Sequence, residues 1–114
     1  MTAVALNLGP RGEIARMEDQ TASGTTAIDI EIQPDAACKM DLGIVKPTGA
    51  VLTVKKKFGS GGATVDLIVS ADATTATNVS IEGVELRDGD QIEIDIDATS
   101  GTKTVSAQAK RLDQ

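Results

Sequence analysis

The chain has 114 residues, a net charge of −6, no histidine and a single aromatic residue, Phe58. This length fits one domain. An acidic chain almost without aromatic rings is a poor nucleic-acid binder, because phosphates repel it and bases find nothing to stack on. No apolar run approaches the roughly 20 residues that span a bilayer. We therefore expect neither nucleic acid nor a membrane as a partner.

Residues 1–20 combine a weak strand pattern with an early break. Apolar residues alternate over residues 2–8, and the glycines and proline of residues 9–12 then interrupt the pattern. The small, polar segment 21–26 separates this region from the regular strands that follow. We predict that residues 1–20 form an N-terminal arm or an edge strand. We favour an arm, whose apolar side chains need a surface to cover them: Val4, Leu6, Leu8, Ile14 and Met17.

Clear strand periodicity begins at residue 27. The β-branched residues Ile, Val and Thr together number 32, a composition that favours strands over helices. Alternating runs cover residues 27–32, 38–44 and 50–58, each with one apolar face and one polar face. Gly43 is predicted to mark a bulge in the second run. In the third run Leu52, Val54 and Phe58 are predicted to point inward, and Lys55 and Lys57 outward.

The second half of the chain continues this pattern. A glycine-rich connection at 59–62 leads to a run at 63–70, in which Val65, Leu67 and Val69 are in phase, and a short run follows at 78–82. The strongest pattern spans residues 84–97, where Asp88-Gly89 predicts a tight hairpin turn. Ile92, Ile94 and Ile96 alternate there with acidic residues, and a last run covers residues 102–109.

These elements predict an all-β fold. About eight short strands, spaced by about 8–15 residues, are typical of a small antiparallel β-sandwich or a jelly-roll-like barrel. Residues 21–114 are predicted to form this single sandwich domain, preceded by the extended N-terminal segment.

Acidic side chains alternate with isoleucines in the runs at 27–32 and 84–97. Like charges directly opposite each other destabilise a sheet. We therefore predict that these two strands are neighbours only if basic side chains compensate their charge. Lys55 and Lys57 are the natural source of compensation, which places strand 50–58 beside one of the acidic strands. The acids concerned are Asp29, Glu31, Glu93, Asp95 and Asp97.

The sequence offers little for catalysis. It lacks histidine, the commonest general base near neutral pH, and it lacks a Gly-x-Ser-x-Gly motif. Cys38, the only cysteine, is in phase with apolar residues and is predicted to be buried. A single cysteine also forms no intrachain disulfide, which favours a reducing cytoplasm as the place of folding. We predict that the protein is not an enzyme.

Three binding motifs are weighed against plainer interpretations. The acids between Asp88 and Asp97 are oxygen ligands of the kind calcium uses, but their spacing is not that of an EF-hand, so no metal or cofactor is predicted. Residues 55–62 look like a phosphate loop with its order reversed, and the alternatives are a solvated hairpin or a basic knob for an acidic partner. A sugar site lacks its aromatic platform if Phe58 is in the core.

As a small acidic β-domain with an extended N-terminal segment and Thr-, Ala-, Ser- and Gly-rich loops, the chain resembles the decoration, or cement, proteins of tailed-bacteriophage capsids. The resemblance implies a virion protein made in the host cytoplasm, bound to the major capsid protein or another virion protein, and self-associated, often as a trimer. Alternatives are a tail, connector or fibre-head component, or a soluble carbohydrate- or ligand-binding module. The predicted partner-binding residues are Val4, Leu6, Leu8, Ile14, Met17, Lys55 and Lys57.

Overall fold

The structure, a computed structural model, describes residues 1–68 and 70–112. Within these residues the chain forms ten strands and one short helix. Val69, predicted to be in phase with Val65 and Leu67, lies outside the described residues. The elements are β1 (Thr2–Leu6), β2 (Ile14–Arg16), β3 (Gln20–Ala22), β4 (Ile28–Pro34), β5 (Cys38–Val45), β6 (Leu52–Lys57), β7 (Thr64–Asp66), α1 (Ser70–Thr74), β8 (Asn78–Leu86), β9 (Gln91–Ile96) and β10 (Lys103–Arg111).

The strands form two sheets that pack face to face, as predicted for a small β-sandwich. The first sheet has the order β1-β4-β9-β6-β7. The second has the order β2-β10-β5-β8, with β3 also paired to β10. All neighbours are antiparallel except β1 and β4, which run parallel. The predicted all-β class is confirmed, with this one parallel pair as a departure from a purely antiparallel sandwich.

The core between the sheets consists of aliphatic side chains that alternate along the strands. Ile92, Ile94 and Ile96 of β9 are fully buried, and Ile28, Ile30 and Ile32 of β4 lie beside them in register. Cys38 and its in-phase neighbours on β5 meet them from the second sheet. These predicted inward faces are confirmed, because a strand with one wet face must turn every second side chain toward the core.

The N-terminal segment belongs to the sandwich, and the favoured arm is wrong. Residues 2–6 pair with β4 from Thr2↔Ile30 to Leu6↔Pro34, so β1 is an edge strand of the first sheet. β2 pairs with β10 in the second sheet. Leu6, Leu8 and Met17 are buried in the chain's own core. The break at residues 9–12 is thus the crossing from one sheet to the other, and the Gly12 amide donates to the carbonyl of Arg111 at the end of β10.

The turn at Asp88-Gly89 does not close a hairpin. Gly89 has φ 91° and the Asp90 amide donates to the Arg87 carbonyl at 3.0 Å, so the tight turn itself is present. However, β8 pairs with β5, whereas β9 pairs with β4 and β6. The turn therefore carries the chain from the second sheet to the first. Alternation identifies a strand and its faces, but it does not identify the strand that will pair with it.

The predicted bulge is on a different strand. Gly43 pairs normally with Ser80 and Ser106. The register shifts instead where Asp41 faces two residues of β8, Glu82 and Gly83. Gly83 has φ 70°, a conformation that suits glycine, and its amide donates to Asp41 Oδ1 at 2.9 Å. The carboxylate thus satisfies the amide that the bulge removes from the ladder.

Two lysines are buried at one end of the second sheet. Lys103 is fully buried, and its Nζ donates to the carbonyl oxygens of Gly24 at 3.0 Å and Gly101 at 3.3 Å. Lys46, which follows β5, is 2% exposed, and its Nζ has no hydrogen-bond partner among the described residues. Both lysines are therefore buried, but among the described residues only the Lys103 ammonium has hydrogen-bond acceptors.

We expect Lys46→Met to stabilise the protein and Lys103→Met to destabilise it. A buried donor without an acceptor costs about 1–3 kcal/mol. The methionine thioether has a similar length and carries no donor, so it avoids this cost. Methionine at position 103 instead removes two hydrogen bonds. Thermal unfolding of both variants measures the difference in sign. A lower melting temperature for Lys46→Met would show that its ammonium is satisfied in solution.

Candidate functional site

The structure separates the predicted partner-binding residues from one another. Leu6, Leu8 and Met17 cannot contact a partner, because they pack inside the chain's own core. Val4 is half-buried on β1 of the first sheet, whereas Ile14 lies on β2 of the second sheet with 60% of its surface exposed. The apolar residues of segment 1–20 thus form no common surface, since strands β1 and β2 contribute to different sheets.

The lysine cluster is largely neutralised by the chain's own acids. Lys57 Nζ lies 3.5 Å from Glu31 Oε2 and 3.9 Å from Glu93 Oε2. It provides the predicted compensation, because β4 and β9 are direct neighbours with Glu31 opposite Glu93. β6 lies beside β9, as predicted, and places half-buried Lys55 opposite Glu93 and Asp66. The basic end of β6 is therefore an integral part of a charged sheet face rather than a free knob.

A surface depression lies where the β6–β7 hairpin extends past the core. It is a groove of about 540 Å³. The only aromatic residue, Phe58, lies in this groove. We predicted that Phe58 points into the core, and this is wrong, because 48% of its surface is exposed. Leu112 is 41% exposed on the groove, and buried Leu86 also lines it. The complete lining is Ala37, Lys56, Phe58, Glu85, Leu86, Arg87, Asp90 and Leu112.

Hydrogen bonds and an ion pair hold the groove in shape. Lys56 Nζ lies 4.4 Å from the centroid of the Phe58 ring, donates to the Glu85 carbonyl at 2.8 Å and lies 3.7 Å from Asp90 Oδ2. Asp90 is 7% exposed and also accepts from the amides of Arg87 and Gly59. Lys56 of β6 thus connects the Phe58 ring with Glu85 of β8 in the other sheet. The cation–π contact holds the ring by one of its faces.

The sequence held a signal for this groove that the periodicity argument missed. Lys56 is in phase with Leu52 and Val54 on the inward face of β6. A lysine at that position shows that the apolar face of the strand ends before Phe58. β7, the partner in the hairpin, is exposed along all three residues, so the hairpin continues the sheet beyond the part that the second sheet covers.

Cys38 is a structural residue, as predicted. Its side chain is fully buried in β5. Burial and, to a smaller extent, the nearby Asp35 carboxylate together raise the pKa of the thiol to about 11. At neutral pH the thiol therefore stays protonated, whereas the thiolate is the form that attacks electrophiles.

The acids between residues 88 and 97 are spread along the molecule. Asp90 lies in the groove, Glu93 and Asp95 lie on the outer face of the first sheet, and Asp97 accepts from the Thr99 amide at 3.1 Å beyond the end of β9. In the part of the chain that the structure describes, no group of three acidic, cysteine or histidine side chains could hold a metal ion.

Asp95 lies directly opposite Asp29 in the first sheet. Burial raises the pKa of Asp95, and the Asp29 and Asp97 carboxylates raise it further. A raised carboxyl pKa stabilises the fold at low pH, and this contribution is lost as the pH rises through the folded-state pKa.

We therefore expect Asp95→Asn to stabilise the protein at pH 7. The gain is about 0.5 kcal/mol, toward the low end for cross-strand pairs because water screens exposed carboxylates. The gain should disappear below about pH 3.9, the pKa of aspartate in an unfolded chain, because Asp95 is then as neutral as the asparagine that replaces it. Asp97→Asn is the control and should destabilise, because hydrogen bonds from Thr99 and Val51 lower the pKa of Asp97. Melting curves at pH 7 and pH 3 test both; a gain that persists at pH 3 would exclude charge repulsion as its cause.

No family model matches the chain, and no curated protein is significantly similar to it. Among the described residues no helix is long and apolar enough to cross a membrane.

Proposed function

We propose that this protein is a non-enzymatic structural protein that binds the outer surface of a viral capsid. In this proposal an apolar side chain of a capsid subunit docks in the groove between Phe58 and Leu112. The observation that carries it is the position of Phe58. The chain has one aromatic side chain, and it stands half-exposed in the groove instead of filling the core.

The energetics support docking at this place. A buried Phe side chain stabilises a fold by about 1.5–3 kcal/mol relative to an exposed one, so the exposed ring forgoes that contribution until a partner covers it. Aromatic residues and arginine dominate binding energy at protein interfaces. Because Lys56 already holds the ring, little side-chain entropy is lost when a partner binds.

The rim of the groove indicates the chemistry of the occupant. Lys56 is already paired with Asp90, whereas Arg87 is exposed at the rim. An apolar side chain followed by a carboxylate would fill the groove and meet the guanidinium. We therefore propose a capsid segment of this character as the partner.

Co-sedimentation of the purified protein with empty shells of the virus whose genome encodes it tests this proposal. We expect Phe58→Ala to weaken binding by tenfold or more. Val51→Ala is the matched control, because Val51 is a 45% exposed apolar side chain that does not line the groove, and it should bind like wild type. Undiminished binding of Phe58→Ala would reject the groove as the site. Binding of the wild type to tails or connectors but not to shells would assign it to those structures instead.

A carbohydrate-binding module is the second candidate. The argument against it assumed that Phe58 is buried, and the exposed ring beside Glu85 and Arg87 removes that argument. Aromatic faces flanked by polar groups are typical of sugar sites. Calorimetric titration with a panel of oligosaccharides discriminates the two candidates. Saturable sugar binding that Phe58→Ala abolishes, without shell binding, would favour this second function.

A further inference from the structure

Two lysines lie directly opposite each other on the outer face of the second sheet. Lys39 of β5 pairs with Lys110 of β10, and both side chains are exposed. Ile14, 60% exposed, lies opposite Lys110 on β2, and together they line a depression of about 260 Å³. Glu85 lies opposite Lys39 on β8, but no described carboxylate forms an ion pair with either lysine. This like-charge pair opposes folding of the isolated chain.

The outer face of the first sheet carries the corresponding acidic pair. Asp29 of β4 lies directly opposite Asp95 of β9. Lys57 pairs with Glu31 and Glu93, the next acids along these strands, and not with Asp29 or Asp95. The one described cation that pairs with either aspartate is the Met1 ammonium, which lies 3.6 Å from Asp29 Oδ2. Burial raises the pKa of Asp95, and the Asp29 carboxylate opposite it and the Asp97 carboxylate raise this pKa further.

The two pairs match in spacing and differ in sign. In both, the charged residues are cross-strand neighbours, whose α-carbons in antiparallel sheets are about 4.5–5.5 Å apart. A surface with two acidic groups at this separation would form two ion pairs with the lysines. A surface with two basic groups at this separation would do the same with the aspartates. The described structure contains such a surface for each pair, on the other face of the same chain.

The pairs also lie at opposite ends of the sandwich. Asp29 and Asp95 are at the end where Lys103 begins β10 and contacts Gly24, just before β4. Lys110 is seven residues further along β10, roughly 23 Å away at about 3.3 Å per residue. The two charge pairs thus face opposite directions from opposite ends of the molecule.

We propose that copies of this chain associate head to tail, with Lys39 and Lys110 of one copy against Asp29 and Asp95 of the next. Because the two pairs face opposite directions, two molecules cannot make both contacts with each other. The interface is therefore heterologous, and because its two faces point in opposite directions it produces an open chain of copies rather than a two-fold dimer. The contact uses none of the residues of the Phe58 groove, so it is tested independently of the proposed function.

Charge reversal provides the test. Sedimentation velocity in low salt should show wild-type assemblies larger than a dimer, and these should dissociate as salt screens the charges. The variant Lys39→Glu/Lys110→Glu and the variant Asp29→Lys/Asp95→Lys should each be monomeric at concentrations about tenfold above those at which wild type associates. Arg11→Glu, an exposed reversal outside both pairs, is the control for Lys110→Glu and should leave association unchanged.

Two further measurements make the result specific. The variant with all four reversals has the wild-type net charge of −6 and should associate again. An equimolar mixture of the two double variants should also associate, because each supplies the face that the other lacks. If a reversal prevents folding, Lys39→Gln/Lys110→Gln replaces it and should melt no lower than wild type. A monomeric wild type in low salt, a reciprocal two-fold dimer, or unchanged association of the double variants would overturn the proposal.

Discussion

Deletion of residues 1–20 is expected to leave a chain that does not fold. The deletion removes β1 and β2 and takes three buried side chains, Leu6, Leu8 and Met17, out of the core. Each large-to-small change at such a site costs about 2–5 kcal/mol, and domains of this kind are stable by only about 5–15 kcal/mol. The loss also exposes the ladder edge of β4, which β1 covers in the intact protein.

Circular dichroism and thermal unfolding of residues 21–114 measure this effect. Point variants in the full chain provide matched controls within the same segment. Leu6→Ala should lower stability by about 3 kcal/mol, whereas Ile14→Ala, at a 60% exposed position, should change it by less than about 0.5 kcal/mol. A cooperative melt of residues 21–114 near the wild-type temperature would mean that segment 1–20 is an arm after all.

The substitution Ile94→Asp should destabilise the protein by about 4 kcal/mol or more. Ile94 is fully buried in β9, the central strand of the first sheet, between Ile30 of β4 and Val54 of β6. The core cluster to which it belongs consists of apolar side chains, so a carboxylate there is removed from water. The variant loses the buried isoleucine and gains a desolvated charge.

The same substitution at Ile14 isolates the effect of burial. Ile14→Asp makes the identical chemical change on an exposed strand, close to Lys110, and should leave the melting temperature within a few degrees of wild type. Urea denaturation provides the free energies of unfolding for both variants. If Ile94→Asp and Ile14→Asp unfolded at similar urea concentrations, the assigned register of β9 would be incorrect.

Most strands and their inward faces follow from the sequence alone. Alternation at Ile92, Ile94 and Ile96, and at Cys38 and Met40, correctly predicted which side chains are buried, because a period of two is a local property of the extended backbone. Charge arguments also worked, since Lys57 does compensate Glu31 and Glu93.

The tertiary structure decided which strands pair and which positions stay uncovered. The Asp88-Gly89 turn was correct as a turn but joins two sheets. The strand pattern over residues 2–8 was also correct, but segment 1–20 divides between the two sheets and does not form the favoured arm. The groove around Phe58, and the opposed pairs Lys39–Lys110 and Asp29–Asp95, exist only through this pairing. Pairing depends on contacts between residues far apart in the chain, whereas periodicity reports only how each segment divides its own side chains between water and core.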